Sequence, residues 1–534
     1  MGRASISSRA PQRAELQGLG ERARLGARPF ITRLASLPAW VLVTPILVAA
    51  TVVRVWQLDR VGFNSDEAVY SGQAASIAES PELDELFPIF RAHPLLFQTV
   101  LSLGFRLHLG EGFERFAAAA AGVATVYLVY ELGKLLYGRR AGLVAALLMA
   151  LMPYHVVVTR QVLLDGPMTL FATLTLLLLA RFIVSERSHW LYAAGGAMGL
   201  TVLTKETSIL LVGAVYAFLA LTPELRVRLR DLAVSLGFMA LAIAALPLSL
   251  TLAGRTGTGH SYLMWQLFRR PNHDWFFYPA TVPEAIGPLV LVAALAGLWF
   301  LRREASWRER LLLCWMLVPV AFFELWPVKG FQYLLPIAPA LAVLAGRALS
   351  RWSSATGRAG VRGDAAERAF GVVAIAIVAA SLLISTLGRI DGTAADTHLA
   401  GSGGLPAGRE AGEWIDASVP AGSTFMTIGP SMANLVQYYG RRKAYGLSVS
   451  PNPLNRNPSY EPLTNPDRAI RNSELQYAVW DAFSAARSPH FSRALLRYAD
   501  RYNGRVVHSE ALPATTAHGE TVKRAAIVVY EVRP

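Results

Sequence analysis

Cysteine is nearly missing from this chain: Cys314 is the single one in 534 residues. That excludes an intrachain disulfide and any zinc cluster built on cysteines. Charge is scarce as well, at 16% of residues, where an ordinary soluble domain carries about 25%. Acids are in the minority, 37 against 51 lysines and arginines. There is no glycine-rich nucleotide loop, no Ser-His-Asp arrangement and no internal repeat, so the usual signatures of nucleotide-dependent and serine-nucleophile enzymes are missing. What remains is apolar: 53% hydrophobic residues and a mean hydropathy of +0.36. Several runs approach the 20 or so residues that cross a bilayer as a helix. The composition is that of a polytopic α-helical membrane protein.

Residues 1–36 form an arginine-rich tail that gives way to the first apolar run, 37–58. Further runs cover 116–136, 141–158, 166–184, 190–204, 207–222, 231–252, 285–301, 311–328, 332–349 and 369–388, which makes about eleven spans. Their connections alternate in charge. Lys134 with Arg139 and Arg140, Arg187, Arg226 to Arg230, Arg302 to Arg310, and Arg347 onward fall on one side. The positive-inside rule makes that side cytoplasmic, together with the N-terminus. Residues 94–109 are apolar but short, and a span there would turn every later arginine loop outward. They read as a helix lying at the outer interface. The first outer loop is then 59–115, and residues 389–534 also lie outside. A formal charge of +14 is thereby a matter of topology, and no nucleic-acid partner is implied. The expected setting is a bacterial-type cell membrane.

The transmembrane region is expected over 37–388, with 350–368 as an arginine-, serine- and glycine-rich cytoplasmic linker. Beyond it, strand-like runs (423–428, 444–449, 476–480, 504–508, 525–532) alternate with helical ones (408–417, 431–439, 490–501). That pattern predicts a small extracytoplasmic α/β domain over 389–534.

The chemistry gathers outside. Asn64 or Ser65 reads as an N-cap, which puts Asp66 and Glu67 in the first turn of a helix, where the dipole favours negative charge. Asp66 and Tyr70 share a face and Glu67 points about 100° away. A plain capping pair on a solvated loop is the competing reading. Arg91 and His93 precede Pro94 at the start of the interfacial helix. Asp165 opens a span on the same side, just after Arg160, and Lys205-Glu206 interrupts two spans, either paired with each other or turned to a polar site. The loop 253–284 mixes basic and aromatic residues, among them Arg269, Arg270 and His273. Lys329 and Tyr333 sit in the last outer turn. Arg115 opens the second span, facing the bundle or anchoring its end.

In order, these segments resemble a known family. SDEAVY follows the first span, FRAHPLL closes the first outer loop, and FERFAAAAAGVATVYLVYELGKLLYGRRAGLVAALL forms the second and third spans. PYHVVVTRQVLLDGPM, GLTVLTKE, WFFYP and KGFQYLLPIAPALAVLAG continue the series. The chain resembles the GT-C-type integral membrane glycosyltransferases, the superfamily of protein O-mannosyltransferases and bacterial lipid A aminoarabinose transferases. The likeness runs over residues 55–350. It implies a GT-C fold and transfer of a sugar from a polyprenyl-phosphate donor to a hydroxyl acceptor, with inversion. It also implies Asp66 as the catalytic aspartate, with Glu67 and Asp165 as the further catalytic acids. Arg91, His93, Lys205, Arg270 and Lys329 are the expected phosphate-binding cations, and Tyr70, Arg160, His273 and Tyr333 the expected substrate-lining residues. Val69 and Tyr70 stand where aminoarabinose transferases carry an arginine, and His93-Pro94-Leu95 lacks the second proline of many members. The scheme requires no metal or other cofactor; a divalent ion held by an Asp/Glu/His cluster is the less favoured variant. A transporter or flippase of lipid-linked sugars is the alternative, and would call for discontinuous midplane helices or inverted repeats.

Overall fold

The structure is a computed structural model that describes residues 37–89, 93–110, 112–252, 265–266, 268–269, 271–299, 306–352, 361–390, 405–515 and 521–534. The tail 1–36, Arg91, Arg270 and the linker residues 353–360 lie outside the described residues. Among the described residues four helices are long and apolar enough to cross a bilayer: Gly112–Tyr137, Asp165–Ser185, Phe331–Arg351 and Ala369–Ile390. Two bent pairs raise this to six if each pair counts as one span. The pair Arg139–Leu151 and Pro153–Thr159 bends by 57°, and Phe277–Ile286 and Pro288–Trp299 by 92°. Proline opens the second helix of each pair, where it has no N–H to carry the first helix onward. Neither bend was visible in the apolar pattern, because a kink changes direction without changing composition. Ala39–Val55 and Glu206–Ala220 are shorter apolar helices within predicted runs.

The packing suits a bilayer rather than water. Val52, Leu295 and Ile384 are 53–72% exposed on their helices, while the opposite faces of the same helices bury Ala50, Ala293 and Leu382 in one continuous core. Apolar faces of that size on several helices are lipid-facing surface. This is a multi-pass membrane protein. The predicted linker is shorter than expected, since a helix runs from Val361 to Ile390.

The interfacial segment folds as the helix Leu96–Arg106, and the acidic stretch as Ser65–Ile77. Gly72 lets the acidic helix lie flush on the segment after it, because a Cβ there would meet the Phe87 ring at 2.3 Å. The predicted strands form one sheet in the order β2-β1-β3-β5-β4: β1 Thr424–Thr427, β2 Lys443–Gly446, β3 Tyr477–Asp481, β4 Arg505–Thr515 and β5 Thr521–Glu531. β1 runs parallel to β2 and β3, and β5 antiparallel to β3 and β4. The crossover from β1 to β2 is the helix Pro430–Tyr438, as parallel neighbours require. This helix also packs on the first outer loop. Phe63, Phe87, Phe97 and Val162 share one apolar core with Phe425, Leu435 and Tyr439, and the Phe63 N–H donates to the Tyr439 hydroxyl at 2.9 Å.

One buried acid makes the sheet pH-sensitive. Asp481 is fully buried at the end of β3. Its Oδ1 accepts the Ser484 N–H at 2.6 Å, capping Ala482–Arg487, and its Oδ2 meets no protein partner. Burial pushes the carboxyl up from 3.8 to about 6. The folded state therefore holds its proton more tightly than the unfolded one. The stability this contributes is full below pH 4 and is lost as pH rises through 6. A shift of that size corresponds to about 2–3 kcal/mol. Asp481→Asn keeps a capping oxygen without the charge and should flatten the decline between pH 4 and 6. The emission of the adjacent Trp480 during thermal unfolding reads this out; parallel pH profiles for the two proteins would refute it.

Candidate active site

The acidic helix begins with a capping box. Asn64 Oδ1 accepts the Asp66 and Glu67 N–H groups at 2.9 and 3.0 Å, and Glu67 Oε2 accepts the Asn64 N–H at 2.9 Å. Two orphan donors of the first turn are satisfied reciprocally. Glu67 goes further. Its side chain is 1% exposed, and Arg115 donates Nε to Oε1 and Nη2 to Oε2, both at 2.8 Å. Oε1 also accepts the Val162 N–H at 3.0 Å. Arg115 spends its remaining N–H groups on the carbonyls of Leu58, Val61 and Gly62. One buried ion pair thus joins the first outer loop, the second span and the turn before Asp165. Both oxygens of Glu67, expected among the catalytic acids, are occupied by these contacts.

Asp66, one residue earlier, turns the other way. Half-buried, it lines a cavity of about 300 Å³ together with Tyr70 and His93. The opposite wall comes from the C-terminal region: Asn434 and Gln437 on Pro430–Tyr438, Tyr445 on β2, and Tyr460 in the loop that follows. Asn434 binds the two walls together, donating to Ser65 Oγ at 2.9 Å and to the Tyr460 hydroxyl at 3.3 Å. Burial pushes the Tyr460 phenol up, and the nearby Asp66 charge adds to that shift.

The other candidates divide into those near this cavity and those engaged elsewhere. His93 lies edge-on to Tyr70 with ring centroids 6.0 Å apart, and its Nδ1 meets Glu206 Oε2 at 2.9 Å. Lys205 does not pair with the adjacent Glu206. It donates to both oxygens of Asp165 at 2.8 Å and sits over the Tyr333 ring at 4.5 Å. Asp165, expected among the catalytic acids, is thus buried with Lys205 on both of its oxygens. Tyr333 lies within electrostatic reach of Asp66, Asp165, Lys205 and Arg269, so these groups form one neighbourhood. Lys329 is 5% exposed and donates to the carbonyls of Phe323 and Glu324 at the end of Trp307–Leu325. Arg160 likewise caps the first helix, through the carbonyls of Val53 and Arg54 at 2.9 and 3.1 Å. Placed among the substrate-lining residues by resemblance, it is taken up in joining two helices. His273 is exposed and stacks on Phe277 at 4.0 Å.

Three groups that the sequence did not single out as site residues take part. Arg269, next to the chosen Arg270, acts electrostatically on Tyr333 and Tyr460 and sits over Trp265 at 4.5 Å; adjacent arginines carry no signal to choose between them. Glu206 holds His93 from 113 residues away. Arg54, fully buried in the first helix, bonds Thr159, the Ala150 carbonyl and His155 Nδ1. An arginine late in an apolar run reads as an end anchor, which is why its role was missed. Among the described residues no three His, Cys, Asp or Glu side chains converge as a metal site would require.

Comparison with known proteins adds to this geometry. The family described as dolichyl-phosphate-mannose-protein mannosyltransferase matches residues 92–250. The undecaprenyl phosphate-alpha-4-amino-4-deoxy-L-arabinose arabinosyl transferase of Pectobacterium carotovorum subsp. carotovorum (strain PC1) is 26% identical over 246 residues. That match spans 43% of this chain and 44% of the relative, less than half its length. In structure the chain is similar to ArnT from Cupriavidus metallidurans in the apo state, with a TM-score of 0.68 at 17% identity over 91% of this chain and 97% of that one. The same protein bound to undecaprenyl phosphate gives 0.66 at 18% identity, over 92% and 98%. The fold is shared almost end to end, and the resemblance to the GT-C-type membrane glycosyltransferases stands.

Proposed function

We propose that this chain, built on the GT-C fold, is an inverting glycosyltransferase that moves a sugar from a polyprenyl-phosphate donor to a hydroxyl acceptor, with Asp66 as the general base. The observation that carries this is the division of labour in the acidic pair: Glu67 is buried and saturated while Asp66 faces the cavity. Asp66 would take the proton from the acceptor hydroxyl as that oxygen attacks the anomeric carbon. Lipid phosphate leaves with added negative charge, and fixed cations near it lower the barrier in a site that screens less than water. His93, Lys205 and Arg269 surround the Asp66 neighbourhood and suit that task; Lys329 is farther committed to its helix end. The relative bound to undecaprenyl phosphate supports a donor of this lipid class.

The topology belongs to the same proposal: cytoplasmic N-terminus, eleven spans and an extracytoplasmic α/β domain over 389–534 in a bacterial-type cell membrane. Arg139, Arg140, Arg347 and Arg351 gather around one cavity, at the opposite ends of their helices from the Asp66 neighbourhood, in keeping with the positive-inside rule. Ser423→Cys tests it, because the native Cys314 is buried and leaves little background. A membrane-impermeant maleimide should label intact cells; labelling only after permeabilisation would overturn the orientation. For the activity, label from undecaprenyl-phosphate-linked sugar should leave the lipid in liposomes holding the protein, and donors that stay intact with every acceptor fraction would refute it.

A further inference from the structure

One phenol in the cavity wall keeps a hydrogen to donate. Tyr460 lies in the loop that follows β2 and lines the cavity together with Asp66. A tight turn fixes it there. Asn457 Oδ1 accepts the Ser459 N–H at 3.0 Å and the Ser459 hydroxyl at 2.8 Å, and the Tyr460 N–H donates to the Asn457 carbonyl at 3.0 Å. Asparagine side chains that bond the backbone two residues on hold such turns. At the far end of the ring, the phenol oxygen accepts from the Asn434 amide at 3.3 Å, and the same amide donates to Ser65 Oγ at 2.9 Å. Asn434 is 3% exposed, so both of its amide hydrogens are committed inside the protein. A phenol that accepts from an amide still carries its own O–H, which rotates to suit a partner. Among the described residues that O–H meets no acceptor.

The place of this O–H matters because of what must lie beside it. Displacement with inversion puts the attacking and leaving oxygens on opposite faces of the anomeric carbon. The sugar ring is therefore held between Asp66 and the cations that meet the phosphate. Tyr460 is within electrostatic reach of both ends of that interval, Asp66 and Arg269. Burial keeps the phenol protonated and neutral, and a neutral donor beside a sugar suits a hydroxyl, whereas phosphate is better met by full charges. We infer that Tyr460, aimed by Asn434, donates its phenol hydrogen to a ring hydroxyl of the sugar being transferred, so that the C-terminal region takes part in choosing that sugar. This rests on the reading of Asp66 as the base. A site built to bond a substrate hydroxyl discriminates against the analogue that lacks it. Tyr460 touches substrate in this scheme, and Asn434 is a positioning residue that acts through the phenol.

The test uses the full-length protein in liposomes, with cell-envelope fractions as acceptor. The donor is whichever undecaprenyl-phosphate-linked hexose, pentose or aminopentose wild type consumes, alongside the monodeoxy analogues of that sugar. Tyr460→Phe deletes only the hydroxyl and keeps the ring in place. It should lower kcat/KM for the parent donor by about three- to tenfold, the effect of one lost neutral hydrogen bond. One deoxy analogue should be slow with wild type and equally slow with Tyr460→Phe, which identifies the contacted hydroxyl. The other analogues should keep the full difference between the two proteins. Asn434→Ala should lose the same discrimination between parent and analogue, a ratio that the amount of folded protein does not move. Equal rates for wild type and Tyr460→Phe, or a loss of the same size on every analogue, overturn the contact and leave the transferase standing. No consumption of any of these donors by wild type overturns the two together.

Discussion

Asp66→Asn is expected to abolish sugar transfer while leaving a folded, membrane-inserted protein that still binds donor. The exchange is close to isosteric. The contacts that start the helix run from Asn64 to the Asp66 backbone N–H and not to its side chain, so the cap survives. What an amide cannot do is accept a proton, and removal of a general base typically costs about 10² to 10⁴ in rate. Initial rates from a polyprenyl-phosphate sugar in liposomes measure the loss, and donor binding to the same sample separates chemistry from folding. Full activity would leave Asp66 a first-turn acid with no part in the chemistry. The base would then have to be sought at Asp165, whose two oxygens both accept from Lys205.

Arg115→Ala should have the largest effect on stability. It strands Glu67 in a site where the carboxylate is 1% exposed and frees three loop carbonyls at once. Breaking a buried pair by removing one partner costs about 3–5 kcal/mol, because the remaining charge is left uncompensated. Thermal unfolding in detergent should show a clear drop in midpoint, and transfer should fall with it as the turn carrying Asp66 shifts. Glu67→Gln should cost less, since the amide oxygen still accepts from Arg115, although its NH2 group loses the acceptor role of the second oxygen. A double-mutant cycle checks the assignment: removing both partners should cost less than the two single losses added. Additive losses would mean that Arg115 acts through the loop carbonyls alone, and that Glu67 has to be reconsidered as a catalytic acid.

These expectations show how far the order of residues reaches. The helix at Ser65–Ile77 was legible because its cap, acids and following small residues are neighbours in the chain, and N-cap chemistry acts over three or four positions. The strands after residue 420 were legible from alternation, and the arginine loops from composition. The short helix Phe277–Ile286 and its sharp bend were not, since proline and glycine mark a break without giving its angle. The partners of Lys205 and Glu206 were not either. Adjacent opposite charges invite pairing along the chain, but on a turn between helices the two side chains leave on different sides, toward Asp165 and His93.

By itself, then, the sequence determined that this is a bilayer protein, which end of its helices carries the cations, and that one helix start outside the first span holds two acids. Each follows from local rules: hydrophobic length, the cost of translocating arginine, and the dipole of a helix terminus. Only the tertiary structure decided which of those acids is walled in and which lines the cavity. That choice depends on Arg115, 48 residues on, and on the Val162 N–H, 95 residues on, which together saturate Glu67 and leave Asp66 facing the cavity. It decided as well that the far wall of that cavity comes from residues 430–461, because burial of Phe63 and Phe87 against Leu435 and Tyr439 brings the C-terminal sheet down onto the acidic helix. Contacts across such distances in the chain are set by complementary packing in three dimensions, which no periodicity in the sequence encodes.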